Sequence, residues 1–121
     1  MTLITSRYGG QLRCHSEHGP SGSTLETDAP TDLVATALST CMLTIMGIVA
    51  DRQGWNLEGA SARVEKTMTT NPPRRIAQLT VWVELPAGLE PQQRALLQRA
   101  AETCPVKLSL EGSVPMELHW S

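Results

Sequence analysis

Phenylalanine is absent from this 121-residue chain, and three tryptophans and one tyrosine are its only aromatic residues. Its core must therefore come from Leu, Val, Ala, Ile and Met, which fill space by close fitting of small side chains. Cysteine is scarce too: there are three, with no C-x-x-C pair. An odd, unpaired count argues against a secreted disulfide framework and leaves reactive thiols or plain buried cysteines. Ten basic against twelve acidic residues give a net charge of −2 without any basic run, so the electrostatic footprint of a nucleic-acid-binding protein is missing. Neither a glycine-rich phosphate loop nor a G-x-S-x-G elbow occurs, and no bound cofactor is expected. The segment from Met1 to Gly10 lacks the charged-then-apolar order of a secretion signal, so the expected location is the cytoplasm.

The length suits one domain, 1–121, with a single core. Thr2 to Tyr8 and Gln11 to His18 read as strands joined at Gly9-Gly10, whose freedom at positive φ suits a hairpin turn. Ser23 to Thr27 follows as a third short strand. From Leu33 to Ala50 no charged residue occurs. With Asp28 as cap, Pro30 in the first turn and Gly54 as stop, this reads as one helix about 35 Å long. Such a helix is long enough for a membrane, but its threonines, serine and glycine and the amphipathic strands after it favour a soluble core helix. So small a chain has little with which to cover it, and part of its surface is expected to meet a second subunit.

Beyond Leu57 the period changes to two. Val64, Lys66 and Met68 alternate with Arg63, Glu65 and Thr67; Leu79, Val81, Val83 and Leu85 alternate with Gln78, Thr80, Trp82 and Glu84. Asn71-Pro72-Pro73-Arg74 separates these two strands as a longer turn. A second helix opens at Pro91 and carries Leu97, Ala101 and Cys104 at helical spacing. Pro105 ends it, which places Cys104 in its last turn. Val114 to Trp120 alternates again as a terminal strand that Pro115 confines to an edge. The expected class is α+β, in the order βββ-α-ββ-α-β.

Two thiols stand out. Cys41 lies mid-helix among apolar neighbours, and Cys104 faces inward from the other helix, so both can meet at one seam. Two readings stand at this point: small hydrophobes filling the core, or a redox pair. A thiol at a helix C-terminus faces partial negative charge, and either cysteine needs a cation to ionise near neutral pH. Arg13, Lys66, Arg74 and Arg75 are the candidates, with Arg13 preferred because it lies on a sheet that must cover the helix. Cys14, His15 and His18 form a C-H-x-x-H cluster, but adjacent strand residues face opposite ways and no fourth ligand is evident, so no metal is expected.

The stretch from Ala29 to Met46, APTDLVATALSTCMLTIM, resembles the central helix of the OsmC/Ohr family. The resemblance continues through Val64-Glu65-Lys66, Asn71-Pro72-Pro73-Arg74-Arg75-Ile76 and Ala101-Glu102-Thr103-Cys104-Pro105-Val106. It implies an OsmC-like fold, an intertwined homodimer around two central helices, and an active site at the dimer interface. It further implies that Cys41 attacks the O–O bond of organic or lipid-type hydroperoxides, that its sulfenic acid condenses with Cys104 to a disulfide, and that a dithiol, often a lipoylated protein, reopens it. The family's peroxidase branches place an arginine directly after the paired glycines, where Gln11 stands here; Arg13, two residues on, is the carry-over. They also place Glu after the helix-opening Pro, where this chain has Thr31 and Asp32. The alternative function is a dimeric, non-enzymatic binding protein for an apolar or acylated ligand.

Overall fold

The computed structural model describes the whole chain, Met1 to Ser121. It divides into two compact units, Met1–Pro30 and Thr31–Ser121. The first is a three-stranded antiparallel sheet, ordered β1 (Ile4–Gly10), β2 (Arg13–His18), β3 (Thr24–Thr27). Its hairpin turn does not sit on Gly9-Gly10 as expected. Gln11 and Leu12 take the left-handed conformation, at φ 54° and 63°, and Gly10 at φ 89° ends β1 after a bulge. The Leu12 N–H donates to the Tyr8 hydroxyl at 3.2 Å, a partner across the turn that glycine patterns do not reveal. Gln11 thus belongs to the turn, and only Arg13 belongs to a strand.

The register gives this sheet two different faces. Ile4, Ser6 and Tyr8 share one with Cys14, Ser16, Leu25 and Thr27; Arg7 shares the other with Arg13, His15, Glu17 and Glu26. Ile4, Tyr8 and Leu25 remain exposed on the apolar face.

The second unit is built on α1 (Pro30–Gln53) and a sheet ordered β4 (Ser61–Met68), β5 (Ile76–Glu84), β6 (Met116–Trp120). Asp28 does not cap α1 as expected; its carboxylate is drawn to Arg13, and the Ala29 N–H before the helix donates instead to Thr27 Oγ1 at 2.9 Å. At the other end Gly54, at φ 75°, stops the helix, and the Trp55 N–H returns to the Ala50 carbonyl. Leu38, Met42, Met46 and Ala50 recur every fourth residue, and each is at most 1% exposed. They form a stripe in one core with Leu79, Val81, Val83 and Leu85 of β5 and its exit, and with Leu97 and Ala101 of α2 (Pro91–Glu102). Burying a side chain of this size contributes about 1.5–3 kcal/mol, so the stripe is the main hold on α1.

An 18-residue window of α1 has a mean hydropathy of 2.1. Its buried stripe lies against core residues of its own chain, while its exposed side shows Ala37, Thr40, Thr44 and Ile48. Two hydroxyls on this helix bond within it: Thr40 Oγ1 donates to the Thr36 carbonyl at 2.8 Å, and Thr36 Oγ1 to that of Asp32.

Strand β5 is central and β6 runs parallel to it at the edge, directly after Pro115. One element was not anticipated. A short helix α3 (Pro105–Leu110) follows α2, making the order βββ-α-ββ-αα-β. Pro105 ends α2 and also opens α3, because a fixed φ and a missing N–H suit the first helical position.

Candidate functional site

Three free cysteines are present, and the fold brings two together. Cys41, midway along α1, is partly exposed, whereas Cys104 has no exposed surface. They are neighbours: Cys41 packs against the core that contains Cys104 and acts on its thiol. This meets the requirement the sequence set, that two inward-facing positions on separate elements share one seam.

Cys104 is not in the last turn of α2. That helix ends at Glu102, with Thr103 as its cap, and Cys104 takes the extended conformation imposed by the following proline, φ −64° and ψ 141°. It is the N-cap of α3: its carbonyl accepts from the Leu108 N–H at 3.0 Å, and its sulfur from the Lys107 N–H at 3.3 Å. The electrostatics therefore differ from those of a helix C-terminus. Burial raises the Cys104 thiol above its ordinary 9.0, and Cys41 raises it further through hydrogen bond and charge; the N–H groups of Lys107 and Val106 pull it the other way. The direction is upward, and Cys104 rests as a neutral thiol.

The candidate cations have separate fates. Lys66 Nζ lies 2.6 Å from Asp32 Oδ1 and 2.6 Å from Thr31 Oγ1, with its side chain 16% exposed. It ties β4 to the first turn of α1. Nine residues of helix separate Asp32 from Cys41, about 13 Å along the axis, so Lys66 does not sit at the thiol. Arg74 and Arg75 are exposed in the β4–β5 turn, where the Arg75 N–H donates to Thr69 Oγ1. Arg13 stands 3.7 Å from both Glu26 and Asp28, with half its side chain exposed. Lys107 pairs with Glu111 at 2.6 Å.

Cys14 and His15 face opposite sides of β2, as the strand period requires. His15 lies 3.6 Å from Glu26, and His18 Nδ1 lies 2.7 Å from Ser21 Oγ. Each belongs to a local contact of its own. A surface cleft of about 570 Å³ lies at the β4–β5 turn beside Met68, Asn71 and Arg75, and neither thiol lines it.

Sequence reasoning missed the Lys107 N–H at the Cys104 sulfur and the commitment of Lys66 to α1. A signal for the first was present in Cys104-Pro105, since a residue before an N1 proline is placed to cap. The second joins residues far apart in the chain, and no local pattern announces it.

A family model described as OsmC-like protein matches residues 26–119. Among solved structures, a Psychrobacter arcticus protein ascribed to the osmotic stress and detoxification response is 30% identical, with a TM-score of 0.90, covering 100% of this chain and 96% of that one. The Legionella pneumophila organic hydroperoxide resistance protein OsmC is 21% identical, with a TM-score of 0.74 and coverage of 100% and 96%. OhrB of Bacillus subtilis, also an organic hydroperoxide resistance protein, is 18% identical at a TM-score of 0.68, covering 100% and 98%. No curated protein sequence matches the chain.

Proposed function

The chain belongs to the OsmC-like protein family, and on that premise we propose that it is a cysteine-based peroxidase that reduces organic, lipid-type hydroperoxides to alcohols. The observation that carries this reading is the proximity of Cys41 and Cys104, one partly exposed and one wholly buried. The Cys41 thiolate attacks the terminal peroxide oxygen; the O–O bond breaks, the alkoxide leaves and takes a proton, and Cys41 becomes a sulfenic acid. The Cys104 thiol then displaces hydroxide from that sulfur, its own proton completing a water molecule, and a Cys41–Cys104 disulfide forms. Two thiols of an external dithiol, free or on a lipoylated protein, restore the pair.

Two proteins of similar structure, both organic hydroperoxide resistance proteins, support this substrate class. The apolar residues around Cys41 favour it over small hydrophilic peroxide. Arg13 is proposed as the cation that favours the thiolate. The exposed side of α1, with Ile48 42% exposed, supports a homodimer in which a second subunit covers that side and completes the substrate pocket. We further propose that the whole chain acts as one OsmC-like domain in the cytoplasm.

The test is consumption of cumene hydroperoxide with a dithiol as electron donor. Wild type turns over and Cys41→Ser does not. Turnover that survives the substitution contradicts the proposal.

A further inference from the structure

We infer that the cleft at the β4–β5 turn binds a carboxylate that carries an apolar tail, with Arg75 holding the charged head and Met68 and Ala77 receiving the tail. This goes beyond the peroxidase reading and does not rest on it, because neither Cys41 nor Cys104 lines the cleft. No residue of α1 lines it either, so the site is separate from the helix face given to the partner subunit. Its volume, about 570 Å³, falls within the range of small-molecule sites, roughly 300–1,000 Å³.

Hydrogen bonds across the turn hold its shape. The Thr69 N–H donates to the Arg75 carbonyl at 2.9 Å, while Thr69 Oγ1 accepts from the Arg75 N–H at 3.0 Å and donates to the Pro73 carbonyl at 3.2 Å. Pro72 and Pro73 between them have a fixed φ. Arg75 therefore projects from a tied backbone. Just behind the turn the ladder slips: Met68 pairs with Ile76 but Thr67 with Gln78, so Ala77 has no partner on β4.

The lining decides the class of ligand. Arg75 carries its only charge, and neither Arg75 nor the adjacent Arg74 is paired with a carboxylate of the chain. An anion is therefore favoured over a cation. A guanidinium matches a carboxylate with two parallel N–H···O bonds, and Thr70 and Asn71 add a hydroxyl and an amide to the same cleft. Met68 and Ala77 are partly buried whereas Arg75 is exposed, so apolar surface lies toward the protein and charge toward water. That surface attracts a hydrocarbon tail and offers nothing to a strongly hydrated phosphate.

The experiment titrates the isotope-labelled wild-type chain with octanoate and follows the backbone amide resonances of Thr70, Asn71 and Arg75. Acetate, octanol and inorganic phosphate are the comparison ligands, which remove the tail, the charge, or the tail together with the carboxylate. The expected result is saturable shifts at the turn and affinity for octanoate about tenfold or more above that for each of the others, the scale of one charge-assisted hydrogen bond. Arg75→Gln keeps the backbone N–H and removes the charge; it should weaken octanoate by about tenfold and leave octanol unchanged. Absence of saturable shifts, octanol or phosphate binding as tightly as octanoate, or full octanoate affinity in Arg75→Gln overturns the inference. The wild-type titrations decide the matter even if the variant fails to fold, and no arm depends on peroxide turnover.

Discussion

Cys104 is both a core residue and the neighbour of Cys41: none of its surface is exposed, yet the only cysteine on α1 packs against the cluster that holds it. A buried neutral thiol beside a more accessible one fits the proposed division between resolver and attacker. In the proposed mechanism Cys41 attacks, and Cys104 keeps its proton until a sulfenic acid forms next to it.

That division sets the outcome of the serine variants. Cys41→Ser abolishes peroxide consumption. Cys104→Ser still forms a sulfenic acid that dimedone traps, and repeated exposure overoxidises it because no thiol resolves it. Cys14→Ser, on β2, is expected to change neither result. Intact-mass measurement after peroxide distinguishes the three variants, and Cys14 within the oxidised disulfide would reassign the resolving role.

The raised Cys104 thiol also gives stability a pH dependence. In the unfolded chain this group ionises near 9.0, whereas in the fold it keeps its proton to higher pH. Between those two points the unfolded state binds fewer protons, so stability falls as pH rises above about 9 and is unaffected by this group below it. Urea midpoints measured from pH 7 to 10.5 are expected to show this alkaline decline, and Cys104→Ala should flatten it. An identical decline in that variant contradicts the assignment.

Much of this was legible in the sequence. The uncharged run gave α1, and the period-two pattern placed Leu79, Val81, Val83 and Leu85 on the inward face of β5, because a buried strand face leaves its mark every second residue. The two thiols could be nominated because each lay on an apolar face. The rest depended on geometry that no local pattern encodes. Pro105 reads as a stop, yet a proline that ends one helix equally starts another, and only the extended backbone of Cys104 decides it. The Gly9-Gly10 pair suggested the turn, but the bulge after Tyr8 moved the tip to Gln11 and Leu12. The Lys66–Asp32 pair is a tertiary contact, which placed a candidate cation at the head of α1 rather than at the thiol.

That ion pair carries its own expectation. Lys66 is largely buried while Asp32 is 64% exposed, so water partly replaces the carboxylate if it is removed. Asp32→Ala should cost about 1 kcal/mol in urea denaturation, less than the 3–5 kcal/mol seen when a fully buried pair is broken. Lys66→Met, which keeps the apolar stem and removes the charge, should lie close to wild type. A loss above about 3 kcal/mol in either variant would show that the pair is more deeply enclosed than its exposure implies.

The exposed side of α1 tests subunit association separately from folding. Ile48→Asp places a charge on a 42% exposed position and should leave the protomer folded while shifting sedimentation from dimer to monomer. Met42→Ala, in the buried stripe, should instead cost about 2–5 kcal/mol of stability. A wild-type chain that sediments as a stable, well-folded monomer at micromolar concentration rules out the dimer.

The Arg13 proposal is read by alkylation. Arg13→Ala should slow iodoacetamide modification of Cys41 at pH 7 by removing a cation that favours the thiolate. Unchanged alkylation against pH in this variant, and in Arg74→Ala and Arg75→Ala, removes arginine from the site.

Counting free thiols before and after one equivalent of cumene hydroperoxide addresses the central claim most directly. The reduced chain has three free cysteines. If Cys41 attacks the peroxide and Cys104 closes the disulfide, two thiols disappear per chain, one equivalent of alcohol appears, and the remaining thiol maps to Cys14. Three free thiols and intact hydroperoxide after the same treatment contradict the account.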